Sequence, residues 1–183
     1  MELKLYSISD KYINYLRKFD NKIYDNKEDI RIHTRKYIGV VLNIDNINYY
    51  IPMSSPKKTD YFDDECTQIR PSINTIIRIT AKNKNGLLQL RGTLRISNMI
   101  PVPNEEIMPY DVEGEKDIKY KDIIRDEISF IRESKNQRKI INSAKLVHNQ
   151  KINELDIKYL NSCVDFKLLE EKCEEYKDDL YSV

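Results

Sequence analysis

Polar and hydrophobic residues alternate in the first half of the chain with the two-residue period of β-strands. Residues 2–8 (ELKLYSI) alternate in this way, and residues 36–44 (KYIGVVLNI) form a β-branched run. Residues 47–53 (INYYIPM) return after Asp45-Asn46, which is turn chemistry. Further strands are predicted at residues 76–82, 87–92 and 93–102. The pattern indicates antiparallel strands joined by short turns.

Apolar residues recur at three- and four-residue spacing in four segments, which predicts amphipathic helices. The first begins after Ser9, a candidate N-cap, and carries an apolar face made of Tyr12, Tyr15, Leu16 and Phe19. The other three lie in the second half, at residues 117–134, 136–150 and 166–180.

Strands followed by helices predict an α+β fold with an antiparallel sheet. The 183 residues fit one domain, residues 1–183, in which residues 1–103 hold the strands and the first helix and residues 104–183 are mainly helical. Gly39, inside a predicted strand, indicates a bulge or a close backbone approach. With only four glycines and no βαβ alternation, Rossmann and P-loop nucleotide sites are excluded.

The net charge of +1 hides an asymmetry between the two halves. Residues 1–103 carry 17 Lys and Arg against 11 Asp and Glu, whereas residues 104–183 carry 14 against 19. A polyanion is therefore expected to bind the first half. No apolar run is long enough to span a membrane, no signal peptide is visible, and the three cysteines lack metal or disulfide spacing. These features predict free thiols and a cytoplasmic protein.

Several site chemistries are excluded by the residues present. The two histidines, His33 and His148, lie in no ligand motif, and no GxSxG elbow or local cysteine signature occurs. We therefore expect no metal and no cofactor. The segment that remains is SSPKK at 54–58, where two hydroxyls and two ammonium groups follow a strand.

Hydroxyls and lysines in this arrangement suit a phosphodiester, since the lysine supplies charge and the hydroxyl donates hydrogen bonds. Lys36 begins the partner strand of the same hairpin, and pairing in register brings it to Ser54. Tyr12 of the first helix is a further candidate for this place. The alternative is a simple Ser-Ser-Pro turn with solvated lysines.

Short matches spread over nearly the whole chain resemble the toxins of type III toxin–antitoxin systems, the ToxN/AbiQ-like endoribonucleases. They are LYSISDKYINYLRKFD, KYIGVVL, SSPKK, NMIPVP, SFIRE and FKLLEEKCEEY. Residues 59–92 and 136–162 match this family poorly. The resemblance implies a compact, barrel-like antiparallel sheet similar to the Kid/MazF toxin fold, with helices around it.

The resemblance also implies metal-independent cleavage of single-stranded RNA to a 2′,3′-cyclic phosphate and a 5′-hydroxyl. The expected inhibitor is a repeat-derived, pseudoknotted RNA antitoxin that alternates with the toxin in a closed ring, with no protein antitoxin and no membrane. The family pattern assigns the catalytic candidates Lys57, Ser55, Lys36 and Ser54. At the position of Ser54 the family pattern has threonine. The RNA-binding candidates are Tyr12, Lys58, Tyr50 and Arg35.

This reaction needs no protein nucleophile, because the RNA 2′-hydroxyl attacks the phosphorus. The protein must move two protons and stabilise charge, and lysine is the available group. Lys57 and Lys36 would share these tasks, without an assignment of acid and base. Two alternatives stay open: a non-catalytic RNA-binding module on the same basic face, and a protein-interaction domain that docks through its acidic last helix.

Overall fold

The structure, a computed structural model, describes residues 2–26 and 34–181. The described residues form seven strands and four α-helices. The strands are β1 (Lys4–Ile8), β2 (Tyr37–Ile44), β3 (Ile47–Ser54), β4 (Ile76–Lys82), β5 (Leu88–Arg95), β6 (Ile100–Val102) and β7 (Ile107–Pro109). The helices are α1 (Asp10–Leu16), α2 (Ile118–Arg132), α3 (Ser134–Ile152) and α4 (Phe166–Tyr181). His33, one of the two histidines considered above, lies outside the described residues.

All described strands belong to one antiparallel sheet with the order β4-β5-β3-β2-β1-β7, and β6 pairs with β3 beside β5. The predicted α+β architecture with an antiparallel sheet is confirmed. The described strands nevertheless leave the sheet open and not closed into a barrel. The end strands of this order, β4 and β7, do not pair with each other in the described part of the chain, and β5 and β6 share one edge of β3.

The β2–β3 hairpin has the register that its turn predicts. Tyr37 lies opposite Pro52, and the Met53 amide donates to the Lys36 carbonyl at 2.9 Å. The register shifts between Ile38 and Leu42, and a side chain at Gly39 would collide with the Tyr50 ring. The predicted bulge or close approach at Gly39 is confirmed on both counts.

Two strand boundaries differ from the prediction. β5 runs without a break through Gly92, and the interruption comes at a 3₁₀ turn, Ile96–Asn98. The Ile96 amide still donates to the Thr75 carbonyl at 2.9 Å, which extends the β4–β5 register by one residue before the chain turns. Strand β7 was not predicted, because three residues are too few to show a period.

Helix positions follow the apolar spacing closely. Ser9 caps α1 by accepting a hydrogen bond from the Tyr12 amide at 3.1 Å, as predicted. Helix α1 ends earlier than expected, and Phe19 is 39% exposed. Helix α2 packs on β4 and β5, α3 on β2, and α4 on β6. The predicted apolar edge of α4 is fully in the core: Phe166, Leu169, Cys173 and Tyr176.

A polar cluster joins the two outer helices to the sheet. Glu170 of α4 accepts hydrogen bonds from the Tyr49 hydroxyl at 2.6 Å and lies 2.8 Å from His148 Nε2 of α3. The Phe166 ring stacks on the His148 ring with centroids 5.2 Å apart. Described helices include none that is long and apolar enough to cross a membrane.

Candidate active site

The SSPKK segment leaves the sheet at the end of β3 and changes at once from buried to exposed. Ser54 is only 7% exposed, whereas the next four residues are exposed. Lys58 begins a short 3₁₀ turn, Lys58–Asp60. Pro56 fixes its own backbone dihedral between Ser55 and Lys57, so the turn presents a hydroxyl and an ammonium from a restricted backbone.

Asp60 anchors this turn from below. Its carboxylate accepts a hydrogen bond from the Lys57 amide at 3.0 Å and forms ion pairs with Arg78 at 3.0 Å and Arg95 at 3.5 Å. Asp60 is 1% exposed, and both arginines are buried in neighbouring strands. The backbone of Lys57 is therefore tied to β4 and β5 through one buried carboxylate.

Lys36 lies where the hairpin register places it, but its side chain has a partner that the sequence did not reveal. The Lys36 ammonium donates to the carboxylate of Glu127 on α2, and both side chains are about 95% buried. The Tyr120 ring faces the same ammonium, with Nζ 4.6 Å from the centroid. Burial raises the pKa of the Glu127 carboxyl, and the Lys36 charge acts in the opposite direction.

Gly92 of β5 connects this ion pair with the SSPKK segment. A Cβ atom at Gly92 would lie 2.6 Å from Glu127 Oε1 and 3.3 Å from the Ser54 carbonyl oxygen. Both groups therefore lie within 3.3 Å of one point, so Glu127 reaches the end of β3. Only glycine leaves room for the carboxylate here.

Arg35 has a buried position beneath Ser54. It is 1% exposed, and its guanidinium donates to the Met53 carbonyl at 2.8 Å, the Ser54 hydroxyl at 3.1 Å and the Asp25 carbonyl at 2.9 Å. Its Cζ also lies 4.7 Å from the centre of the Tyr24 ring. This burial does not favour the predicted contact between Arg35 and RNA. The guanidinium instead orients the Ser54 hydroxyl.

Two of the tyrosines expected at the RNA surface are core residues. Tyr12 is 0% exposed and donates its hydroxyl to the Pro101 carbonyl at 2.8 Å, and Tyr50 is 1% exposed with its ring edge against Tyr6. Burial raises the pKa of Tyr50 to about 12. The RNA contacts that the family resemblance predicts for Tyr12 and Tyr50 are not favoured by this burial, since both rings pack in the core.

The structure thus brings Ser54, Lys36 and the SSPKK turn to one end of the β2–β3 hairpin and leaves Ser55, Lys57 and Lys58 exposed there. Sequence reasoning missed Asp60, Gly92 and Glu127. Only Glu127 carried a readable signal, since it lies on the apolar stripe of α2 between Ile124 and Ile131. A carboxylate on a buried stripe indicates a buried cationic partner.

The described residues contain no group of three or more potential metal ligands. Their free cysteines are exposed Cys66 and buried Cys163 and Cys173. At the hairpin end the structure places lysine ammonium groups and serine hydroxyls, which can bind a phosphate and transfer protons.

The family model for Toxin ToxN of the type III toxin–antitoxin system matches residues 4–174. The chain belongs to this family. The endoribonuclease AbiQ of Lactococcus lactis subsp. lactis is 34% identical over 176 residues, covering 96% of this chain and 90% of AbiQ. The endoribonuclease ToxN of Bacillus thuringiensis subsp. kurstaki is 31% identical over 183 residues, covering 96% and 84%.

Solved structures of ToxN-family toxins share the whole fold. One, reported for selective toxin inhibition by a non-coding RNA pseudoknot, has a TM-score of 0.76 at 27% identity and covers 97% of this chain and 99% of that one. The lactococcal anti-phage endoribonuclease AbiQ has a TM-score of 0.75 at 28% identity, with the same coverage. The ToxN/AbiQ resemblance of the sequence motifs is confirmed.

Proposed function

We propose that this ToxN-family protein is an endoribonuclease toxin that cleaves single-stranded RNA at the exposed SSPKK turn. The RNA 2′-oxygen attacks the neighbouring phosphorus, the bond to the 5′-oxygen breaks, and the products carry a 2′,3′-cyclic phosphate and a 5′-hydroxyl. The reaction takes place in the cytoplasm. It uses no metal, because the substrate supplies the nucleophile and lysine ammonium groups stabilise the charge on phosphorus.

The observation that carries this proposal is the meeting of Lys36, Ser54 and the SSPKK turn at one hairpin end, in a chain that belongs to a family of endoribonucleases. Ser55 and Lys57 are exposed and can approach a phosphodiester directly. Ser54 is less accessible, and its hydroxyl is already oriented by Arg35. The roles that fit are phosphate binding by the two serines and proton transfer and charge stabilisation by Lys57 and Lys36. Lys58 guides the strand.

The antitoxin is RNA. A pseudoknot folded from one repeat would cover the turn and bridge successive toxins into a closed ring, without a protein antitoxin. The basic first half of the chain supports this, as does the relative whose toxin is inhibited by an RNA pseudoknot. The whole chain, residues 1–183, acts as one domain.

The decisive experiment incubates purified protein with single-stranded RNA in EDTA and identifies the product ends. Wild type is expected to yield 2′,3′-cyclic phosphate. Lys57→Ala is expected to lose about 100-fold or more in rate, as removal of an acid–base group does. Lys84→Ala, an exposed lysine in the β4–β5 turn, is the matched control and should cleave normally.

Intact RNA that stays bound to wild type would favour the non-catalytic binding module instead. Cleavage by Lys57→Ala within about threefold of wild type would remove Lys57 from the proton-transfer role.

A further inference from the structure

The Lys36–Glu127 ion pair is a deeply buried charged contact beside the SSPKK turn. Lys36 precedes β2 and Glu127 lies on α2, so the pair links the two halves of the chain across 91 residues. A buried carboxylate in contact with an ammonium strongly favours the protonated form of the lysine. Removing the carboxylate would leave the lysine charge buried without this counter-ion, which is energetically unfavourable.

Several titratable and charged groups lie around the pair. They are Tyr120 and Asp126 of α2 and Tyr110 after β7. Arg91 is the neighbour of Gly92 in β5, and Arg35 is the neighbour of Lys36 in the chain. Asp126 is engaged by Arg91 at 2.7 Å, and Arg35 binds the end of β3. The pKa of Tyr110 is raised by burial and by its neighbours Tyr120 and Glu115, so this hydroxyl stays neutral. Glu127 is the carboxylate in direct contact with the Lys36 ammonium.

We propose that Glu127 is a positioning residue of the nuclease, which keeps Lys36 permanently protonated as a fixed positive charge beside the scissile phosphate. This inference rests on the proposed function and sharpens it. Lys36 keeps its proton throughout and stabilises the phosphorane charge. The proton that leaves the 2′-hydroxyl and the one that reaches the 5′-oxygen are handled by the exposed Lys57 and water.

Gly92 belongs to the same arrangement. Its missing side chain lets Glu127 lie against the end of β3, where the carboxylate can hold Lys36 without touching the RNA. Glu127 is 3% exposed, so it acts on the substrate only through Lys36. A change at Glu127 is therefore expected to alter kcat and leave KM nearly unchanged.

The test compares the pH dependence of RNA cleavage by wild type, Glu127→Gln and Glu127→Asp. In Glu127→Gln the buried ammonium loses its counter-ion and gives up its proton at lower pH, so the alkaline limb of the kcat profile should move down by about one pH unit or more. At neutral pH kcat should fall by at least about tenfold, less than the 100- to 1,000-fold typical when a stabilising group is removed outright. Glu127→Asp keeps the charge and should keep the wild-type limb at a reduced rate.

Asp122→Asn is the matched control, because it removes the same charge from an exposed position of α2, where Asp122 pairs with Arg125 and not with Lys36 or Glu127. Its profile should coincide with that of wild type. A purely structural role for Glu127 would lower the rate equally at every pH, and a folded Glu127→Gln protein with an unmoved alkaline limb would overturn the proposal.

A measurement on wild type stays decisive even if Glu127→Gln does not fold. The ¹³Cε resonance of Lys36, assigned with Lys36→Arg, should keep the shift of a protonated lysine up to about pH 9. Titration of this resonance near neutral pH would overturn the proposal. If wild type cleaves no RNA, the proposed function fails, whereas this titration still decides whether the buried Lys36 keeps its charge at neutral pH.

Discussion

Replacing Asp60 by Asn is predicted to be among the most destabilising single changes in the chain. Asp60 is 1% exposed and is the carboxylate between Arg78 and Arg95, whose side chains are 6% and 10% exposed. The amide would leave two buried guanidinium groups without a counter-charge. Breaking a buried ion pair from one side costs about 3–5 kcal/mol. That is a large share of the roughly 5–15 kcal/mol by which a domain is stable.

The measurement is urea denaturation of wild type and variant, followed by circular dichroism. Asp60→Asn should lower the free energy of unfolding by about 3–5 kcal/mol with an unchanged slope against urea. Asp64→Asn serves as the control, because Asp64 lies exposed in the same loop and its side chain has no ion pair in the described structure. Its effect should stay within about 0.5 kcal/mol.

The same substitution should also reduce RNA cleavage per folded molecule, since the asparagine would hold the Lys57 amide less firmly than a carboxylate does. A loss of stability below about 1 kcal/mol would refute the reasoning, because it would mean that the two arginines are compensated without Asp60.

Three further predictions concern other parts of the molecule. Gly92→Ala should lower the RNA cleavage rate by about tenfold or more, because its Cβ would lie 2.6 Å from Glu127 Oε1 and push the carboxylate off Lys36; an unchanged rate would contradict the placement of Glu127. Burial pushes the pKa of Glu170 up, but hydrogen bonds from His148 and Tyr49 outweigh it and the pKa is lowered from 4.5. Glu170 therefore contributes stability that is present above pH 4.5 and is lost as pH falls through its lower folded-state pKa. In a series of thermal melts, Glu170→Gln should reduce the fall of the melting temperature below pH 4.5. An unchanged fall would argue against this role of Glu170. Phe166→Ala removes a ring that is 0% exposed and stacks on His148, and should cost about 3–5 kcal/mol in urea denaturation, whereas a cost under 1 kcal/mol would show that α4 is not held there.

Most of the fold could be predicted from the sequence, because its periods are local. The β2–β3 hairpin has the predicted turn and register, and the apolar edge of α4 from Phe166 to Tyr176 is buried as spaced. What failed depended on contacts between distant residues. β5 continues through Gly92 by pairing with β4, and the glycine there leaves room for Glu127, which nothing near Gly92 in the sequence indicates.

Some residues of the candidate site could be predicted from the sequence and others could not. The SSPKK turn and Lys36 could be found, since turn chemistry and hairpin register place them. The roles of Tyr12 and Tyr50 could not, because whether a tyrosine faces solvent or core depends on what packs over it. For Tyr12 the covering residue is Tyr176 of α4, with ring centroids 4.9 Å apart.

The contact between Lys36 and Glu127 can form only late in synthesis of the chain. A chain emerging from the ribosome can form the β2–β3 hairpin early, but Glu127 follows 91 residues after Lys36. A nascent toxin would thus carry the SSPKK turn and Lys36 before it carries Glu127, the carboxylate that pairs with Lys36. The chain should become fully active only near the end of its own synthesis, and two separately produced fragments, split in the β7–α2 connection, should become active only on reassembly.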